Sequence, residues 1–226
     1  MVKEIIIDFE TTGLDYTKDK IIQYTFLNHE TKEYISGYVN PQRPMNLEAS
    51  KVTGITDIDV KEYKPFSKHV DKILDFIGQE DNVFFIAHNG DHFDKLFFIR
   101  ELQSCGKSLH PSWKFIDTLK LSRYFRPDLK QHTMDSLRTE FNLTTKNNHS
   151  ASKDVFDLSM IYNHFRKDYT AEQLHDISFH YISFGKYRGK DYRTLPKDYL
   201  DFLIQREVYL NQPDLCSFLY QEKLLS

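Results

Sequence analysis

The chain has 226 residues, of which 40% are hydrophobic, 15% aromatic and 28% charged, a core-forming composition that excludes an intrinsically disordered chain. A formal net charge of -3 excludes recognition of a polyanion by overall charge, so any nucleic-acid contact has to come from local patches or metal ions. Two cysteines, Cys105 and Cys216, exclude a disulfide framework. No stretch reads as a signal peptide or a membrane span, so a cytoplasmic chain without a membrane partner is expected.

The length suits one full-sized domain with a small second one. Residues 4–10 are β-branched and continuous and read as a central strand, followed by a turn at Thr11-Thr12-Gly13. IIQYTFLN (21–28) and EYISGYVN (33–40) flank the polar HETK and predict a β-hairpin. Residues 66–77 carry apolar positions at helical spacing. NVFFIAHN (82–89) predicts a second buried strand and FDKLFFIRELQSC (93–105) a helix. KFIDTLKLSRYF (114–125) predicts a short strand and then a helix. TMDSLRTEFNL (133–143) and residues 153–166 predict two more helices. A meander followed by alternating α and β elements implies an α/β fold, a mixed sheet with helices on its faces.

The pattern changes after about Lys167. Thr170 with Gln173 forms a capping-box signature for a short helix. A short strand, a glycine-bearing turn, a helix with Pro196 near its start and a terminal helix follow. The division expected is a main domain over 1–168 and a small C-terminal α+β module over 169–226, docked on it. Lys186, Arg188, Lys190, Arg193 and Lys197 cluster there around one acid, Asp191, with Tyr187 and Tyr192 interleaved. Basic and aromatic side chains together suit phosphate contact and base stacking, so Lys186 and Arg188 are candidate nucleic-acid contacts.

The chemistry is expected from acids in awkward places. Asp8 and Glu10 share one face of the first strand, where two like charges repel unless a cation lies between them. Asp94 follows the strand VFFIA, with His88 and Asn89 in the same loop, while Asp91 is expected to turn to solvent. Asp154 falls on the stripe Asp154, Leu158, Ile161, Phe165, which predicts a carboxylate on a core-facing helix side. Asp157 lies off that stripe and reads as surface. His149 precedes Asp154 in a loop containing Asn147 and Asn148, a place from which it can take a proton from water. Oxygen ligands without a nearby cysteine favour Mg²⁺ or Mn²⁺.

The motifs DFETTGL (8–14), HNGDHFD (88–94) and HSASKD (149–154) resemble, in order, those of the DEDDh, or DnaQ-like, 3′→5′ exonucleases. VTGIT (52–56) and DTLKLSRYF (117–125) resemble two further segments of that family, although Thr53 stands where histidine is usual. TAEQLHDI and FGKYRGK resemble the C-terminal region of the exodeoxyribonuclease X-like members. The resemblance implies a ribonuclease H-like exonuclease fold and two Mg²⁺ or Mn²⁺ ions held by Asp8, Glu10, Asp94 and Asp154. It implies His149 as general base, with Thr11, Thr12, Gly13 and Leu14 beside the terminal nucleotide. The substrate it implies is nucleic acid, DNA favoured over RNA. An exoribonuclease of the same fold, a proofreading subunit and an inactive nucleic-acid-binding adaptor are the alternatives. No feature of the sequence speaks to oligomeric state.

Overall fold

The computed structural model describes residues 2–78, 81–143 and 151–225. Five strands form one sheet: β1 (Lys3–Thr11), β2 (Ile21–Asn28), β3 (Tyr34–Tyr38), β4 (Val83–Ala87) and β5 (Lys114–Asp117), in the order β3-β2-β1-β4-β5. β1, β2 and β3 pair antiparallel as a meander. β4 joins β1 in parallel and β5 joins β4 in parallel. The helices in chain order are α1 (Leu47–Thr53), α2 (Asp57–Val60), α3 (Val70–Ile77), α4 (Asp94–Ser104), α5 (Thr118–Phe125), α6 (Met134–Glu140), α7 (Ala151–Arg166), α8 (Ala171–His180), α9 (Lys197–Gln205) and α10 (Pro213–Gln221).

The pleat of β1 divides the core. Ile5, Ile7 and Phe9 face a layer containing Ile73 of α3 and Phe97, Phe98 and Leu102 of α4. Ile6 faces the other layer, with Leu158, Ile161 and Phe165 of α7 and Ala171 and Leu174 of α8. Each of these large apolar side chains contributes roughly 1.5–3 kcal/mol by leaving water. Asp8 and Glu10 alternate with Ile7 and Phe9, so strand geometry delivers them to the α7 side.

Strands and helices of the first 168 residues lie where apolar spacing predicts them, with the exception of α1 and α2. α1 buries none of its residues, so it offers no apolar stripe to read; its signals are the Asn46 cap and Gly54 in the left-handed region at its end.

In the C-terminal segment Thr170 and Gln173 cap α8 reciprocally, as their spacing predicts. The strand expected after it does not form: only Tyr181 bridges Asp191. Gly185 and Gly189, at φ 67° and 87°, reverse the chain there and leave no length for a ladder. Ile182, Tyr192, Leu203, Leu215, Phe218 and Leu219 form a separate small core. The segment is anchored to the sheet, since the Asp117 amide donates to Ser178 Oγ of α8 at 2.9 Å.

Candidate active site

The acids gather at the carboxyl ends of the parallel strands, the usual place for a site in an α/β sheet. At the end of β1 the pairing register with β2 shifts between Glu10 and Thr11, an irregularity that bends the strand where its acids must face inward. Asp94 opens α4, which follows β4 through a tight turn. A Cβ at Gly90 in that turn would overlap Ala87 at 2.5 Å, so the chain passes there only as glycine. Asp154 lies in the first turn of α7, and Leu158, Ile161 and Phe165 on its stripe are buried as the spacing predicts.

One carboxylate oxygen each from Asp8, Glu10 and Asp154 lies within 4.8 Å of the others. Asp94 completes the group electrostatically. Burial, then the charges of Asp94, Glu10 and Asp154, push the Asp8 carboxyl well above its ordinary value, against the opposing pull of Arg138. Glu10 is pushed up to about 7 by burial and by Asp154. Asp94 is pushed up to about 8 by burial, although its own amide and that of Phe9 donate to it. Asp94 Oδ1 is buried and has no hydrogen-bond partner among the described residues. Carboxylates crowded in this way cannot all ionise cheaply without a cation.

Arg138, from α6, supplies part of the compensating charge and is not legible as a site residue in the sequence. Its guanidinium holds Asp154, lies 2.7 Å from Asp157 and lies 2.8 Å from Asp135. Asp157 is therefore buried, not on the surface as its position off the stripe suggests. The reason is Arg138, which reaches it from a neighbouring helix and offsets the cost of desolvation.

The loop between β4 and α4 is held from below. Asn89 adopts the left-handed region at φ 61°, and its amide donates to Asp117 Oδ1 at 2.9 Å while its side chain is exposed. His88 Nδ1 is 3.0 Å from Thr118 Oγ1, and burial pushes the imidazole down to about 4. Asp91 is buried, which corrects the expectation that it faces solvent. Lys120 reaches it at 2.7 Å and Lys95 at 3.6 Å.

Thr11 and Thr12 are buried, and Leu14 is 86% exposed. A Cβ at Gly13 would overlap the Asp19 carboxylate, which also accepts from Thr12 Oγ1 at 2.9 Å and from the Asp15 amide at 3.0 Å. Phe9, Glu10, Leu14, Ala49, Val52 and Phe93 line much of an open cavity of about 470 Å³ next to the acids. Lys186 and Arg188 are exposed on the 185–190 turn, with Lys186 Nζ 5.2 Å from the Tyr187 ring centroid. Arg193 is not available in the same way, because Asp191 and Asp176 hold it. His149 lies outside the described residues.

A mixed sheet with two parallel crossovers beside its meander, carrying acids at the ends of its central strands, defines the ribonuclease H-like exonuclease fold. The family model for exonucleases matches residues 5–162, and the chain belongs to that family, within the DEDD superfamily. It is 31% identical over 189 residues to the 3′-5′ exonuclease DinG of Bacillus subtilis, covering 79% of this chain and 20% of that protein. It is 29% identical over 188 residues to the PolC-type DNA polymerase III of Listeria welshimeri, covering 82% of this chain and 12% of that protein. The chain thus spans a fifth or less of these curated relatives. A zinc-bound complex of Escherichia coli Exonuclease I with single-stranded DNA superposes with a TM-score of 0.67 at 16% identity, over 78% of this chain and 42% of that one. Exonuclease X in complex with 5′-overhanging duplex DNA superposes with a TM-score of 0.55 at 20% identity, over 77% and 99%. At these identities the structural likenesses establish the fold. Among the described residues, no helix is long and apolar enough to cross a membrane.

Proposed function

We propose that the chain is a metal-dependent 3′→5′ exonuclease that hydrolyses DNA and releases nucleoside 5′-monophosphates. The observation that carries this reading is the convergence of Asp8, Glu10 and Asp154 on one point, with Asp94 coupled to them through its charge. The donor set fits divalent cations: it offers oxygen atoms only, it repels itself in the absence of a cation, and the buried Asp94 Oδ1 has no hydrogen-bond partner among the described residues. Asp8, Glu10, Asp94 and Asp154 would hold two Mg²⁺ or Mn²⁺ ions. When bound, such ions lower the pKa of water and neutralise charge on phosphoryl and leaving oxygens.

The protein's own groups supply the rest. His149, five residues before Asp154 in the sequence, takes the proton of the attacking water as general base. Water attacks the phosphorus of the last phosphodiester, the bond from phosphorus to the 3′ oxygen breaks, that oxygen takes a proton from solvent, and the shortened strand leaves with a 3′ hydroxyl. Arg138 keeps Asp154 oriented. The cavity lined by Phe9, Leu14, Val52 and Phe93 has the size and apolar walls suited to one nucleoside, with Thr11 and Gly13 also on its lining and Thr12 buried between them. His88 and Asn89 act by shaping the loop beside the substrate. Lys186 and Arg188 reach the strand further along. The single-stranded and duplex DNA held by the superposed exonuclease complexes supports DNA as substrate.

The test is incubation of the purified protein with 5′-labelled single-stranded DNA, duplex DNA and RNA, in Mg²⁺, Mn²⁺ or EDTA, with Asp8→Ala as control. A metal-dependent ladder shortening from the 3′ end, absent in the variant, is expected, with DNA cut faster than RNA. Binding without degradation in either metal would overturn the assignment in favour of an inactive adaptor.

A further inference from the structure

Three basic side chains from separate segments lie near enough on the tail side of the site loop to act on one another's charge. Arg123 comes from the last turn of α5, His132 from the stretch before α6, and Arg188 from the turn between Gly185 and Gly189. His132 is fixed, because its Nδ1 lies 2.7 Å from the hydroxyl of buried Ser122, the residue next to Arg123. The turn that presents Arg188 is fixed as well. The Ile182 amide donates to the Lys190 carbonyl and the Gly189 amide to the Ile182 carbonyl, each at 2.9 Å.

Arg123 and Arg188 lack the ion pairs that neighbouring arginines have. Arg126 is held by Asp128 and Glu140, and Arg193 by Asp191 and Asp176. Among the described residues neither Arg123 nor Arg188 enters a salt bridge, and Arg123 Nε is buried with no hydrogen-bond partner. Burial and then Arg188 weaken the charged form of Arg123, while burial, Arg123 and Arg188 weaken that of His132. The acids that face them are already engaged. Asp117 accepts the Asn89, Asp91 and Leu119 amides, and Asp128 is gripped by Arg126. Basic groups brought together beside acids that are committed elsewhere are the electrostatic counterpart of the carboxylate cluster: they call for an anion.

The notch adjoins the catalytic loop. The His88 ring is hydrogen-bonded to the backbone of His132 and senses the charges of Arg123, His132 and Arg138, and Arg138 in turn holds Asp154. We propose that Arg123, His132 and Arg188 form a phosphodiester-binding notch that holds one backbone phosphate of the substrate strand as it enters the carboxylate cluster. This rests on the nuclease reading and adds a defined contact to it. Guanidinium groups present paired N–H donors that match phosphate oxygens. The Ser122 hydroxyl occupies His132 Nδ1, and in the tautomer in which that hydroxyl donates, Nε2 carries the proton and can donate to the same anion.

The experiment is a charge walk. A 5′-labelled oligothymidylate is made with a single uncharged methylphosphonate linkage at each position in turn. Its binding is followed by fluorescence anisotropy in EDTA, where metal-dependent cleavage is stopped. One linkage is expected to weaken wild-type binding about ten-fold when neutralised. In Arg188→Ala that linkage loses its effect, and the slope of log affinity against log salt falls by about 0.7. Arg123→Lys, which keeps the charge but not the fork, is expected to fall between the two. Arg188 is exposed, so its replacement leaves the fold intact. Identical walks for wild type and Arg188→Ala would overturn the notch. So would a walk that is unchanged while competition by inorganic phosphate is lost, since that marks a free-anion site. A parallel Mg²⁺ reaction separates the two readings: an intact walk without any cleavage supports the notch and removes the exonuclease.

Discussion

Lys120 is a buried lysine held between two buried carboxylates, 2.7 Å from Asp91 Oδ2 and 3.3 Å from Asp214 Oδ2. Asp91 belongs to the loop that delivers Asp94, and Asp214 to α10 of the C-terminal segment. One ammonium therefore ties the tail to the site loop. Ser183 Oγ adds a donor to Asp214 at 3.0 Å. Lys120→Met leaves both carboxylates buried without their shared cation, and a loss of about 3–5 kcal/mol is expected. Urea unfolding at neutral pH measures it; a loss below 1 kcal/mol would mean that the triad contributes little.

The same triad sets a pH dependence. Burial alone would raise the Asp91 pKa, but Lys120 and Lys95 override it and hold the carboxyl well below the usual carboxylate range. A depressed carboxyl stabilises the fold above its unfolded value of about 3.9, and that stability is lost as pH falls from there through the folded value. Unfolding midpoints of wild type are expected to drop more steeply below pH 4 than those of Asp91→Asn. Parallel curves would exclude Asp91 as a source of acid lability.

His88 acts in a higher window. Its imidazole is held neutral to about pH 4 by burial, chiefly, and by the positive groups around it. For a base whose folded pKa is depressed, the unfolded chain binds the extra proton. Stability is therefore lost as pH falls from about 6.5 to about 4, by up to about 3 kcal/mol. His88→Gln is expected to flatten this part of the profile. Chemical denaturation at pH 7 and pH 4.5 on both proteins decides it.

The proposed metal dependence has a structural signature separate from turnover. Asp8 repels Asp94, Glu10 and Asp154. Asp8→Asn removes one buried charge, so in EDTA the variant is expected to melt higher than wild type by a few degrees, corresponding to about 1 kcal/mol. Added Mg²⁺ is expected to raise the melting temperature of wild type and to leave the variant nearly unchanged. A variant that melts lower in EDTA would show that the acids are not mutually strained.

Gly13 and Leu14 are adjacent and have opposite expected costs. Gly13→Ala drives a methyl group into the Asp19 carboxylate, and a loss of about 1–3 kcal/mol is expected. Leu14→Ala removes a side chain that is 86% exposed, so stability should change by less than about 0.5 kcal/mol while KM for an oligonucleotide rises. Unchanged KM would remove Leu14 from the substrate cavity.

The first strand, its two acids and the apolar stripe of α7 were readable because each obeys a local period. Alternation in β1 sends Asp8 and Glu10 to one face, and 3.6-residue spacing in α7 puts Asp154 in line with Leu158, Ile161 and Phe165. The order of the three acidic segments added the family, because motifs are contiguous in sequence. The C-terminal turn was harder to read. A glycine-bearing run with β-forming residues predicts a strand as readily as a reversal, and the left-handed conformations of Gly185 and Gly189 decided between them.

What the sequence by itself determined was which faces of β1 and α7 carry Asp8, Glu10 and Asp154, and to which family the chain belongs, since the first follows from spacing within a segment and the second from the order of contiguous motifs. Tertiary structure decided the fate of the charges. Asp91 and Asp157 look like surface acids in their own segments, yet both are buried, because Lys120 reaches the first across 29 residues and Arg138 the second across 19. A charge leaves water only when its partner is already in place, and that partner comes from another element, so no local pattern carries the information.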